Sequence, residues 1–83
     1  MKYAVSFRKL RRNRVSANVL KYEGQDVKLI TTRLSKRLGF EDGKLIFTLE
    51  PDGSKNEILE KLADAIYQEY GEEISPKDIY RLN

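Results

Sequence analysis

The sequence has no cysteine, no histidine and no tryptophan, only two prolines, and no long apolar run. Each absence closes off a kind of chemistry. Without cysteine there is no disulfide scaffold and no thiol nucleophile; without histidine the chain lacks the commonest general base and a usual zinc ligand. Metalloenzymes, thiol enzymes and serine–histidine triads are thereby set aside. No stretch approaches the roughly 20 apolar residues that span a bilayer. Met1 to Ser6 alternates polar and apolar residues and does not form the apolar core of a signal peptide, so a cytoplasmic protein with no membrane contact is expected. At 83 residues and 9.7 kDa the chain is expected to be one domain over 1–83, close to the lower size at which one core sustains a fold without staples. Hydrophobic content of 40% and charged content of 35% fit a folded domain with a densely charged surface.

The charge that is present is unevenly placed. Residues 1–44 hold twelve Lys/Arg against four acids, a net +8, and residues 45–83 hold four against nine, a net −5. A domain polarised in this way projects a positive field that draws polyanions or an acidic protein, unless the two halves simply neutralise each other.

Periodicity gives an α+β reading. Tyr3, Val5 and Phe7 alternate with polar or small residues as in a half-buried strand, and Val15, Ala17 and Val19 mark a second over 15–22. If these pair as a hairpin, Arg8-Lys9-Leu10-Arg11-Arg12-Asn13-Arg14 lies at its tip, with Asn13 available for the turn. After the Glu23–Asp26 break, Val27–Gly39 carries two signals. A β-rich start predicts a strand to about residue 31, and Leu34 with Leu38 predicts two helical turns to 38, stopped at Gly39. Leu45, Phe47 and Leu49 predict a strand over 44–50 between two glycine-containing turns. Ser54 with Glu57 forms a capping-box pattern, and Ile58, Leu59, Leu62, Ile66 and Tyr70 make the apolar stripe of a helix ending at Gly71. Ser75-Pro76-Lys77-Asp78 repeats the capping pattern and predicts a short terminal helix over 76–82. The expected architecture is a basic N-terminal β-hairpin, a short basic helix, a further strand, and C-terminal helices packed on a small sheet.

The candidate contact residues are Arg8, Lys9, Arg11, Arg12 and Arg14 of the hairpin and Arg33, Lys36 and Arg37 of the short helix. Arginine makes bidentate contacts to phosphate or guanine edges and lysine acts as a point charge, so this set suits nucleic acid, with duplex DNA favoured. Its plain alternative is a solvated basic loop that discourages edge-to-edge strand pairing. Tyr3, Phe7, Phe47, Tyr67 and Tyr70 are assigned to the core, while Tyr22, Phe40 and Tyr80 remain open between packing and base stacking. Glu57, Glu60, Asp64, Glu72 and Glu73 have no EF-hand spacing and read as a solvated face; Gly39–Gly43 lacks the Gly-Lys-Ser/Thr ending of a phosphate loop. No catalytic residue, metal site or cofactor is expected, and the function read from the residues is a non-enzymatic nucleic-acid-binding regulatory protein. The alternative is an interaction module, a small inhibitor or adaptor, that grips an acidic protein partner.

Residues 26–53 also carry a family pattern. Ile30, Leu34, Leu38, Gly39, Phe40, Gly43 and Leu45 keep the strand, short helix, Leu-Gly-hydrophobe, Gly, strand spacing that resembles AbrB/MazE-like swapped-hairpin DNA-binding domains. The resemblance implies a strand-exchanged homodimer that binds DNA, with Lys36 at a basic position of the short helix. The chain departs from the pattern where Thr31 stands in place of the usual Pro, where Ser35 replaces a frequent basic residue, and where a capped helix follows the Pro51-Asp52-Gly53 turn.

Overall fold

The computed structural model describes residues 2–83 and shows an α+β architecture with one helix laid across a five-stranded sheet. Strand β1 (Tyr3–Lys9) and strand β2 (Arg14–Glu23) form the predicted antiparallel hairpin, with Tyr3 opposite Lys21 and Lys9 opposite Val15. A tight turn through Gly24 returns the chain as β3 (Asp26–Leu29), and the short helix α1 (Thr31–Arg37) follows directly. The strand ends two residues before the predicted 31 because Thr31 is already in the helix and its hydroxyl accepts from the Val19 N–H at 3.0 Å. Strand β4 (Leu45–Thr48) then pairs with the other half of β2. β3 and β4 thus occupy the same edge of β2, one at each end, with α1 inserted between them.

Helix α2 (Lys55–Tyr70) follows the predicted cap, stripe and stop. Ser54 Oγ accepts from the Asn56 N–H at 3.3 Å, so the cap forms through Asn56 and not through the reciprocal Ser54–Glu57 box. Gly71 closes the helix at φ 70°, a left-handed conformation that suits glycine, and its N–H reaches the Tyr67 carbonyl at 2.8 Å. Ile58, Leu59, Leu62, Ala65 and Ile66 are buried against Tyr3, Val5, Phe7, Val15, Val19, Leu45 and Phe47 in one core, joined by Ile30 and Leu34. Tyr67, assigned to the core from the sequence, faces outward and is 54% exposed, because it lies off the stripe that meets the sheet.

The C-terminal segment departs from the predicted helix over 76–82. Only Pro76–Asp78 turns, as a single 3-10 turn held by the Ser75 N–H donating to Asp78 Oδ2 at 2.9 Å. Residues Ile79–Arg81 form β5, parallel to β1, with Ile79 beside Tyr3 and buried. An unpaired edge on β1 outweighs helix propensity here: β5 satisfies that edge, and the Asn83 amide extends it by accepting from the Phe7 N–H at 2.9 Å and donating to the Phe7 carbonyl at 2.6 Å. The strand order is β3-β2-β1-β5, with β4 also on β2. α2 covers one face of this sheet, and the face turned away from α2 carries no covering element among the described residues.

Candidate nucleic-acid interface

The hairpin tip is built by two left-handed residues. Arg12 and Asn13 have φ of 60° and 58°, and the Arg14 N–H donates to the Arg11 carbonyl at 3.3 Å, giving the paired positive-φ turn that matches the twist of flanking strands. Asn tolerates this conformation and Arg does not favour it, so Arg12 stands at the tip against its backbone preference. Arg8, Lys9, Arg11, Arg12 and Arg14 are all exposed. None of the five is ion-paired among the described residues.

Helix α1 behaves differently. Arg37 Nε donates to Glu69 Oε1 at 2.8 Å, and Arg33 Nη1 to Glu69 Oε2 at 3.4 Å, so two of the three predicted helix cations are held on α2. Both bridges are charge-assisted, and they hold the Glu69 carboxyl below the usual glutamate range, chiefly through the Arg37 hydrogen bond. Lys36 carries no such pair among the described residues. At the opposite end of the sheet Lys2 and Lys21 meet Glu72 at 2.8 and 3.9 Å, and Lys28 meets Glu23 at 3.3 Å. Glu72 is lowered too, first by its hydrogen bond to Lys2. Part of the charge polarity is therefore neutralised inside the fold, and the densest run of unpaired cations among the described residues is at the hairpin end.

Register places further residues beside that end. Arg8, Ser16 and Ile46 stand in one row across β1, β2 and β4, Arg14 stands opposite Thr48, and Lys44 immediately precedes the Leu45–Ala17 pair. Arg8, Arg14 and Lys44 rim a shallow hollow of about 530 Å³ on the uncovered face, with Leu29, Asn18 and Ile46 lining it. Thr32 also lines a neighbouring depression, which Lys36 shares with Arg33, Arg37 and Glu69. Lys44 and Asn18 are absent from the residues predicted from sequence. Pairing β4 with β2, rather than treating the 44–50 strand alone, is the signal that exposes them. No group of three or more potential metal ligands occurs among the described residues, and no helix there is long and apolar enough to cross a membrane.

The ion pairs fix a pH dependence. Glu69 and Glu72 have folded pKa values below their unfolded ones, so their stabilisation is present above the unfolded value and is lost as pH falls through the folded one. Burial, and then the Glu72 carboxylate, push the Tyr3 phenol well above its ordinary range; that contribution is present below about pH 10 and is lost as pH rises from there toward the folded value. Urea unfolding across pH is expected to show constant stability near neutrality and a decline below about pH 4.5 that Glu69→Gln with Glu72→Gln flattens. An acid limb unchanged in the double variant would contradict these pairings.

No protein-family model, characterised protein or solved structure matches the chain.

Proposed function

We propose that the chain is a non-enzymatic nucleic-acid-binding module, with a regulatory role, and that the hairpin end of the sheet is its contact surface. One observation carries this reading: Arg8, Lys9, Arg11, Arg12 and Arg14 form a run of exposed cations with no carboxylate partner among the described residues, whereas Lys2, Lys21 and Lys28 at the other end are paired. An uncompensated cluster of this kind is an electrostatic footprint for phosphates, and nothing in the core or the sheet ladder uses these side chains. Lys44 extends the cluster, Lys36 stands on α1 without an ion pair among the described residues, and Arg33 and Arg37 bridge α1 to α2. An acidic protein would meet the same cations, which is the alternative reading. The AbrB/MazE-like resemblance further implies a strand-exchanged homodimer, whereas β3 and β4 pair here with β2 of their own chain, and light scattering reads the assembly directly.

Fluorescence anisotropy at low salt, with labelled duplex DNA, single-stranded DNA, RNA and a polyglutamate of similar charge, separates the readings. Saturable binding to a nucleic acid with no comparable binding to polyglutamate is expected. Binding to polyglutamate alone would transfer the surface to an acidic protein partner.

A further inference from the structure

The uncovered face of the sheet is graded along its strands. At one end Leu29, Leu20, Ala4 and Tyr80 stand side by side in register, an apolar row that crosses β3, β2, β1 and β5. Leu29 is 66% exposed and Tyr80 51%, with Leu20 half-buried between them and Ala4 fully buried. Asn18 and Ser6 form the next polar row, and the row of Arg8, Ser16 and Ile46 lies beyond it. From Ala4 to Arg8 this is four residues along β1, about 13 Å at the usual strand rise. Cations at one end and a flat apolar and tyrosyl floor at the other suit a polymer with charged links and flat apolar rings.

The break in the edge strand adds a recognition element. β3 stops at Leu20 and β4 starts at Ala17, so Asn18 has no strand partner on that side. Asn18 Oδ1 lies 3.4 Å from the Thr31 hydroxyl that donates to it, which leaves the Asn18 amide NH2 without a protein partner among the described residues, inside the hollow rimmed by Arg8, Arg14 and Lys44. An amide donor beside cations and the apolar walls of Leu29 and Ile46 matches a nucleobase edge next to its phosphate.

The width of the hairpin end decides which form of nucleic acid fits. β4 accompanies β2 as far as the Arg14–Thr48 pair, and the Leu49 N–H continues to the Asn13 carbonyl at 2.8 Å, so the tip is three strands wide. The major groove, roughly 12 Å across, admits a helix or a two-stranded ribbon. A third strand adds about 4.8 Å, which makes this end wider than the two-stranded ribbon that the groove admits. A duplex that meets these cations through its outer phosphates leaves the hollow and the apolar row unused.

We infer that the nucleic acid bound here is a single strand, with phosphates on Arg8, Arg14 and Lys44, a base in the hollow against Asn18, and further bases against the exposed side chains of that row, Leu29 and Tyr80. This rests on the nucleic-acid reading above and narrows it. The test is anisotropy with one twelve-nucleotide sequence offered as a single strand and as a duplex, on the unaltered protein and on Tyr80→Ala and Asn18→Asp, with urea unfolding to confirm that each variant is folded. The single strand is expected to bind about tenfold or more tighter than the duplex, and either substitution to weaken it about five- to a hundredfold with the duplex affected little by Tyr80→Ala. Duplex binding as tight as single-strand binding, or single-strand affinity unmoved in both variants, overturns the inference while the nucleic-acid reading stands. Failure of every nucleic acid to bind removes that reading itself, and this one with it.

Discussion

Alanine at Leu62 is expected to lower the free energy of unfolding by about 2–5 kcal/mol, the cost of forfeited apolar transfer together with the cavity left behind. Leu62 is fully buried, at the middle of α2, in the same core as Val5, Val19 and Leu45. α2 is the main cover of the inner face, so no second layer is available to collapse into the gap. A domain of this size has roughly 5–10 kcal/mol in total, and the substitution removes a large fraction of it. Urea unfolding checks this by a lower midpoint at unchanged slope. The neighbouring exposed Lys61→Ala is expected to stay within about 0.5 kcal/mol. A Leu62→Ala loss no larger than that of Lys61→Ala would mean that α2 does not pack on the sheet as described.

Changing Arg11, Arg12 and Arg14 together to alanine is expected to have the opposite profile. Hydrogen bonds to charged groups contribute about 1.5–3 kcal/mol each when the partner is bound, so removing three bonds to phosphate weakens nucleic-acid binding by at least about a hundredfold. Stability should change by no more than about 0.5 kcal/mol at each position, because all three are exposed and make no ion pair among the described residues. Within the protein the substitution removes the 3.3 Å hydrogen bond from Arg14 Nε to the Arg11 carbonyl, which is itself solvent-exposed. Binding isotherms and unfolding curves on the same variant separate the two effects. If the triple variant unfolds instead, the basic tip is a structural element. If Glu60→Lys on α2 abolishes binding at unchanged stability, recognition lies on the acidic helix.

Local patterns carried much of the fold. Alternation at Tyr3, Val5 and Phe7 and at Val15, Ala17 and Val19 marked the hairpin, and Ser54, the Ile58–Leu62–Ile66 stripe and Gly71 marked α2, because capping and burial within a few residues are written in those residues themselves. The terminal strand was not legible. Ser75-Pro76-Lys77-Asp78 is a sound helix-start signal and does form a turn, but whether Ile79-Tyr80-Arg81 continues as helix or strand depends on the open edge of β1, more than seventy residues earlier in the chain.

The candidate site divides in the same way. The five hairpin cations could be chosen from a run of adjacent residues, since a charge run on a tip stays exposed wherever the rest of the chain goes. Arg33 and Arg37 have the same local appearance and a different use, because Glu69 lies more than thirty residues on, and only the packing of α1 on α2 brings it within 2.8 Å of Arg37. Lys44 and Asn18 become visible only through the β2–β4 register, which two separate strand predictions do not contain.

Contact between phosphates and the hairpin end, as proposed, is tested most directly by the salt dependence of binding. Neutralising about five phosphates predicts a slope of log K against log salt of about −4 to −5 on a duplex and about −3.5 on a single strand. In the Arg11, Arg12 and Arg14 alanine variant the slope is expected to be shallower by about two to three. A slope near zero, or one that is unchanged in the variant, would mean that phosphates do not meet the hairpin cations.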